Sequence, residues 1–394
     1  MKQLKDFFRK PFFSDYRVLF GLWMILAVVS FFLKYWHERH NNYLIFKYVF
    51  WHTINGTSLY AQYPLEFKDC KHYGPLFSII IAPFALLPDF IRMLLWLVVL
   101  TATLYYAIRK MPVSDKVQIF ILWFSAQELL NALFMQQFNI ATAAMIIATF
   151  TCIERGKDEW AAFWIVIGTF VKLYGIVGLA FFVFSRHKGR LASHVLMWAV
   201  IIFALPMLIS NFDYQISQYS EWYSSLVMKN ISNEMLVGMQ NISLLGMVHR
   251  ISDNADFSNL YMLAPGLVLF LLPYLKTRQY KNIDFRLAFL ASTMIFVILF
   301  STSSESSTYI IAVIGVVIWY AAVPWERSKW DIALMVFVFL LTCMSGSDIV
   351  PKFIRKGYVQ AYSLKALPCT VVWLRLIYEM CIKDYSKKEL EVES

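Results

Sequence analysis

The sequence predicts an all-α polytopic membrane protein, on three observations. Hydrophobic residues make up 59% of the 394 and charged residues only 16%, where soluble domains are about half apolar and a quarter charged. Apolar runs approaching the length of a bilayer span recur from one end of the chain to the other. The basic residues behind the net charge of +10 sit in short segments beside those runs. That is how a positive-inside bias looks; a nucleic-acid-binding surface would gather them on one polar face.

The N-terminal stretch MKQLKDFFRKPFFSDYR is basic and leads into VLFGLWMILAVVSFFL. That run continues into YWHERH without a small-residue cleavage site, so 17–35 reads as a retained first span rather than a signal peptide. A crossing helix needs roughly 20 apolar residues. Further candidates lie near 75–88, 90–108, 116–134, 139–153, 160–184, 194–210, 258–275, 286–301, 308–323, 331–345 and 366–382. Several are short, so about ten to thirteen transmembrane helices are expected, some of them broken or tilted.

The segments RKMPVSDK, ERGKDEW, SRHKGR and KTRQYKNIDFR are short and basic or mixed, which assigns them to the cytoplasm with the N-terminus. One transmembrane domain then covers 1–385, with 36–74 as a first outer loop, 211–257 as a second and 386–394 as a cytoplasmic tail. Two full crossings over 75–88 and 90–108 would put RKMPVSDK outside. Either a half helix after Tyr73 restores the parity or that loop departs from the charge rule; the half helix is the favoured reading, since irregular backbone at membrane depth is tolerated where protein buries it or a wet cavity adjoins it.

No period of 20 to 50 residues recurs, and there is no GxGxxG, GKS or GKT. Cys70, Cys152, Cys343, Cys369 and Cys381 show neither a disulfide framework nor metal-ligand spacing. No cofactor is called for, and a divalent metal is left open.

The stretch HNNYLIFKYVFWHTINGTSLY, 40–60, places Tyr43, Phe46, Phe50 and Ile54 at helical spacing, with Asn42, Lys47 and His52 elsewhere on the wheel. It reads as an amphipathic helix on the membrane surface. Glu66, Lys68, Asp69, Lys71 and His72 then stand just before an apolar helix that Pro75 opens. A carboxylate at the mouth of a membrane cavity could act as base or metal ligand; the plainer alternative is a solvated loop.

In FMQQFNIATAAMII, Gln136, Gln137 and Asn139 sit at a helix junction, where Asn139 reads first as the cap of the next helix. Lys172 lies about 12 residues from either end of the apolar run WAAFWIVIGTFVKLYGIVGLAFFVF. An ammonium at such depth costs about 2.5–3.5 kcal/mol on the lenient insertion scale, so it should face a cavity, a carboxylate or a bound anion. Tyr174 and Gly175 make a local break credible there. MQNISLLGMVHRI offers Asn241, Ser243, His249 and Arg250, and LFSTSSESSTYIIAV sets Glu305 among serines and threonines.

In order and spacing these landmarks resemble the polytopic glycosyltransferases of family 87, over roughly 17–320. NGTSLY and HYGPLFSIIIAPFALLP stand where the family has a Gly-containing turn, Leu-Tyr, Tyr-Pro-Pro and then Ala-Pro and Leu-Pro. QFN, ERGKDEWAAFWIVIGTFVKLYG, SRHKGR and NISLLGMVHR look like its Gln-x-Asn, Arg-Gly turn, Lys-Leu-Tyr-Pro helix, basic exit loop and Asn-x-Ser segment. Three positions depart from the pattern. Asn42 stands where the family carries an acid, Gly74 replaces the first Pro of Tyr-Pro-Pro, and Gly175 replaces the Pro of Lys-Leu-Tyr-Pro. The late His found in many members is absent near Glu305.

The resemblance implies a GT-C type helical bundle that transfers a mannose-like hexose from a polyprenyl-phosphate sugar donor to a lipid or glycan acceptor. The reaction would take place on the outer face of a bacterial cytoplasmic membrane, among membrane lipids and with no nucleic acid partner. Lys172 and Arg250 then suit the donor phosphate. Asn42 has no carboxylate, so the base moves to Asp69, with Glu66 and Glu38 as alternatives. Asn42, His72, Tyr73, Gln137, Asn139, Tyr174, Asn241 and Glu305 are the expected substrate contacts. Two rivals are a transporter or flippase, which Lys172 and Glu305 would equally serve, and a family member that has lost catalysis.

Overall fold

A computed structural model of the chain describes residues 10–236, 240–254, 257–347 and 350–386. The basic stretch 1–9 and the expected tail beyond Ser386 lie outside the described residues. Those residues are helical, with no strand among them. Contacts group the chain into two units, Met1–Leu179 with Ser185–Val227 and Ala180–Phe184 with Met228–Ser394.

The first unit opens with α1 (Tyr16–Tyr35), capped by Asp15, whose carboxylate accepts from the Arg17 amide at 2.8 Å. Its buried residues Leu19, Trp23, Ala27 and Phe31 recur every fourth position, so one stripe packs inward while Ile25, Val29 and Phe32 stay exposed. Helix α2 (Asn41–Asn55) ends on Gly56, whose φ of 66° suits a residue without Cβ. The face of α2 expected to lie on the membrane packs on protein instead. Phe46 stacks on Tyr73 at 5.2 Å and meets Phe77 edge-on at 4.8 Å, leaving Trp51 and Ile54 exposed.

Helix α3 (Phe77–Ala85) has nine residues with Pro83 inside. At 1.5 Å per residue it reaches about 14 Å, the length of half a bilayer core. The chain then turns into α4 (Asp89–Arg109). The run expected to cross at 116–134 is divided into α5 (Asp115–Phe124) and α6 (Ala126–Phe134), bent by 45°. Ser125 Oγ donates back to the Ile121 carbonyl at 2.5 Å, a contact that bends helices.

Helix α7 (Asn139–Glu154) is buried nearly all round and ends on Gly156 at φ 67°. Helix α8 (Asp158–Val171) stops at Lys172, and Leu173–Phe184 continues as a 3-10 segment. Helix α9 (Lys188–Ala204) runs on through 3-10 turns to Ile209, and only Leu191 and Ile202 of its own residues are buried. Helix α10 (Phe212–Glu234) is polar on average and contributes residues to both units.

In the second unit come α11 (Leu244–Ser252), α12 (Leu260–Leu271), α13 (Ile283–Leu299), α14 (Tyr309–Ala321), α15 (Lys329–Phe337) and α16 (Ala366–Ile382). Helices α13 and α14 form its core and are buried all round. Gly315 brings them close: a Cβ there would stand 2.8 Å from the Ala291 carbonyl oxygen. At the far end of α14, Glu379 is wholly buried. It accepts from Arg327 at 2.9 and 3.0 Å and from Trp319 Nε1 at 2.9 Å, a charge satisfied from several sides as burial requires.

About ten to thirteen spans are expected from the apolar runs. Among the described residues, three helices have both the length and the apolarity to cross a bilayer, Tyr16–Tyr35, Asp89–Arg109 and Lys188–Ile209, with the bent α5–α6 pair a fourth. Asn139–Glu154, Leu173–Phe184, Leu260–Leu275 and Ser306–Ala321 are apolar but shorter.

Candidate active site

The polar side chains of the first unit gather where α8 breaks. Lys172, the residue that follows the last of that helix, is extended at φ −149° and ψ 111°. Its Nζ donates to Asn139 Oδ1 at 2.6 Å and lies 4.7 Å from the Tyr174 ring centroid and 5.8 Å from that of Tyr73. Two aromatic faces and an amide oxygen suit a half-buried ammonium. Asn139 also donates through Nδ2 to Gln137 Oε1 at 2.8 Å. The cap expected of Asn139 is not there: Phe138 occupies the cap position and Asn139 begins the helix proper, with its side chain turned to Lys172.

Two glycines hold this break together. The Gly74 amide donates to the Val171 carbonyl at 3.0 Å, and a Cβ on Gly74 would stand 1.9 Å from the Phe170 carbonyl oxygen. A Cβ on Gly175 would stand 2.3 Å from backbone atoms of Gly168 and Thr169. Both glycines are therefore points of close backbone approach beside Lys172.

At the start of α2, Asn41 and Asn42 tie the 36–74 loop to itself and to the segment leading into α7. Asn41 holds the Lys68 backbone reciprocally, at 2.6 and 2.7 Å, and Asn42 Nδ2 donates to the Met135 carbonyl at 2.9 Å, two residues before Gln137. Asn42 serves here as an amide donor, a task that an ionised carboxylate lacks the hydrogen to perform. Asp69, next to Lys68, is exposed, has a φ of 79° and accepts from the Cys70 amide at 2.8 Å. Glu38 is also exposed, at φ 53°, and its neighbour Arg39 receives Gln136 Nε2 at 3.2 Å. Glu66 instead pairs with His52 Nε2 at 2.7 Å, ten residues along α2 from Asn42 and so about 15 Å away along the helix. Burial pushes the His52 imidazole below its usual range, against the pull of Glu66.

One face of α10 straps the loop down. Gln218 receives the Leu59 amide at 2.8 Å, Glu221 receives the Ser58 hydroxyl, and Trp222 Nε1 donates to the His72 carbonyl at 3.0 Å. Ser225 meets His72 Nδ1 at 2.9 Å. The hydroxyl of Tyr60 donates to the Tyr73 carbonyl at 2.9 Å.

Lys71 is the residue whose place the sequence conceals. It is 2% exposed, and its Nζ has no hydrogen-bond partner among the described residues; the Tyr60 ring lies 5.3 Å away. Burial holds it well below the usual lysine range. The unfolded chain takes up a proton that the folded chain resists, so this group's contribution is full above about pH 10.4 and shrinks as the pH falls through its folded pKa. Lys71→Met should raise stability by about 1–3 kcal/mol at pH 7 and flatten that slope. Thermal unfolding across pH tests this; a lower melting temperature at pH 7 would refute it.

Arg250, Asn241 and Glu305 belong to the second unit. Asn241 is buried and builds the turn into α11: Ser243 Oγ donates to its Oδ1 at 2.6 Å, and its Nδ2 donates to the Asn233 carbonyl at 3.3 Å. Glu305 is half-buried, and its carbonyl receives the Thr308 hydroxyl at 2.7 Å. Arg250 lines an open cavity of about 940 Å³ with Glu234, His249, Asp253 and Asn259.

A search of curated proteins found no match. The family model for glycosyltransferase family 87 matches residues 72–302, more than half of the chain and a range that includes Tyr73, Gln137, Asn139, Lys172, Tyr174, Asn241 and Arg250. The chain belongs to glycosyltransferase family 87.

Proposed function

We propose that the protein is a membrane glycosyltransferase of the outer face of a bacterial cytoplasmic membrane, moving a hexose from a polyprenyl-phosphate sugar to a lipid or glycan acceptor. Family membership supports transfer over transport. Membrane residence is supported by the 22-residue run Lys188–Ile209, apolar yet mostly unburied, a surface that water disfavours and lipid accepts.

The observation that carries the mechanism is Lys172 at a broken helix beside Gln137, Asn139, Tyr73 and Tyr174. In the reaction the acceptor oxygen attacks the anomeric carbon, the bond from that carbon to the phosphate oxygen breaks, and its electron pair leaves with the phosphate. Lys172 holds that growing charge. The hydroxyl proton passes to a carboxylate, and attack opposite the phosphate inverts the anomeric centre. Asp69 is preferred as that base because the Asn41–Lys68 clamp ties its segment to the end of α2 that also reaches Met135. Glu38 stands just before α2, whereas Glu66 is engaged with His52 further along α2.

Asp69→Asn is expected to lower the transfer rate by about 100-fold or more, while Glu66→Gln keeps transfer within severalfold of wild type. The measurement is radiolabelled sugar transfer by protein in nanodiscs supplied with polyprenyl-phosphate mannose and a membrane glycolipid extract. Full activity of Asp69→Asn would remove it as the base, and Glu38→Gln would then be the variant to lose activity.

A further inference from the structure

The cavity in the second unit is lined by the end of α10, by His249, Arg250, Asp253 and Asn254, and by the residues from Phe257 into α12. Its polar groups form a chain. Asn230 Nδ2 and Asn259 Nδ2 both donate to Glu234 Oε1, at 3.0 and 2.8 Å, and His249 Nε2 meets Asn259 Oδ1 at 3.1 Å. These contacts fix the carboxylate and the amide in place. A carboxylate offers about four acceptor positions over its two oxygens, so Glu234 keeps capacity for further donors.

Charge narrows the ligand. Among the described residues, the carboxylates of Glu234 and Asp253 line the cavity beside the guanidinium of Arg250, a balance unfavourable for a phosphate or a uronic acid. The apolar part of the wall includes Phe257, whose ring stands edge-on to His249 at 5.3 Å and 5.7 Å from Tyr261. Fixed carboxylate and amide groups for hydroxyls, with an aromatic surface for carbon-bound hydrogens, match a sugar ring. The volume of about 940 Å³ lies at the upper end of ligand pockets and gives room for more than one such ring.

We propose that this cavity is a binding subsite for an uncharged glycan, the sugar portion of the acceptor, with Glu234 and Asn259 taking its hydroxyls and Arg250 donating to a hydroxyl or ring oxygen. The assignment rests on the transferase reading and moves Arg250 from the donor phosphate to the acceptor.

The test uses the full-length protein in nanodiscs and an array of uncharged and anionic bacterial glycans, with wild type, Asn259→Ala and Glu234→Gln compared. Uncharged glycans should bind, anionic ones should not, and each substitution should weaken binding at least tenfold. In the transfer assay the same substitutions should raise the acceptor KM by a like factor with kcat little changed, whereas mere loss of structure would lower both binding capacity and kcat. Binding confined to anionic glycans, no glycan binding, or binding and KM indifferent to both substitutions would each overturn the assignment. Loss of glycan binding in the variants, from a protein that transfers no sugar, would instead refute the transferase reading and leave the subsite standing.

Discussion

Lys172→Ala is expected to reduce sugar transfer by at least about 100-fold, mostly in kcat, in a protein that still purifies as a single species. The reasoning is electrostatic. A fixed cation facing the leaving phosphate in a low-dielectric site acts on charge that grows in the transition state, and removing one such donor typically costs 10²–10³ in rate. Lys172 has the setting for that role: its Nζ is held by Asn139 Oδ1 at 2.6 Å and by two tyrosine rings, on backbone that has left the helix. Lys172→Arg keeps the charge but replaces a compact ammonium with a planar fork, so it should recover part of the rate. A purely structural role predicts the reverse pattern, with Lys172→Met, which keeps an apolar stem between the rings, retaining the rate. Single-turnover transfer from polyprenyl-phosphate mannose separates the cases, and full activity in Lys172→Ala would remove Lys172 from the mechanism.

Much of this region is legible before any coordinates. The depth of Lys172 in an apolar run, with Tyr174 and Gly175 just after it, makes a break at that place credible, and the helix ends there. The charge parity around RKMPVSDK favours a half helix after Tyr73 over a loop that departs from the charge rule, and the helix there, α3, has nine residues. Both readings rest on a strong rule, the cost of placing a charge or a loop in lipid. Side-chain partners obey no such rule. Asn139 has the residue type and position of a cap, yet its amide is drawn to Lys172 from 33 positions away, a pairing that local spacing leaves invisible. Lys71 stands among exposed charges in FKDCKHY and looks like one of them; only the folding of the loop under α10 encloses it. The apolar face of α2 is legible, but what covers it is not, because lipid and protein select for the same aromatic residues.

Restoring either family proline should damage the protein. Sequence comparison alone would suggest that Gly74→Pro or Gly175→Pro improves stability, since a proline at a compatible site restricts the unfolded chain. The close contacts reverse the sign. Proline at 74 has no N–H to donate to the Val171 carbonyl, and its Cβ would enter the space held by the Phe170 carbonyl oxygen at 1.9 Å. At 175 the obstacle is again backbone, Gly168 and Thr169 at 2.3 Å, which side-chain rotation does not relieve. Each change should cost more than about 4 kcal/mol, in the range where overpacking and a lost buried hydrogen bond combine, seen as a collapse in the yield of monodisperse protein or a large fall in Tm. Gly21→Ala is the control: a Cβ there meets nothing within 4 Å, so yield and Tm should hold. Wild-type melting of both proline variants would mean that neither the 74–77 turn against Phe170 nor the segment at 175 against the end of α8 is so close. Alanine at 74 should fail for the same steric reason while retaining the N–H, so the difference between Ala and Pro measures the hydrogen bond to Val171. The two glycines thus serve two close approaches beside Lys172: Gly74 sets the 74–77 turn against Phe170, and Gly175 sets the 3-10 segment against Gly168 and Thr169 of the helix before it.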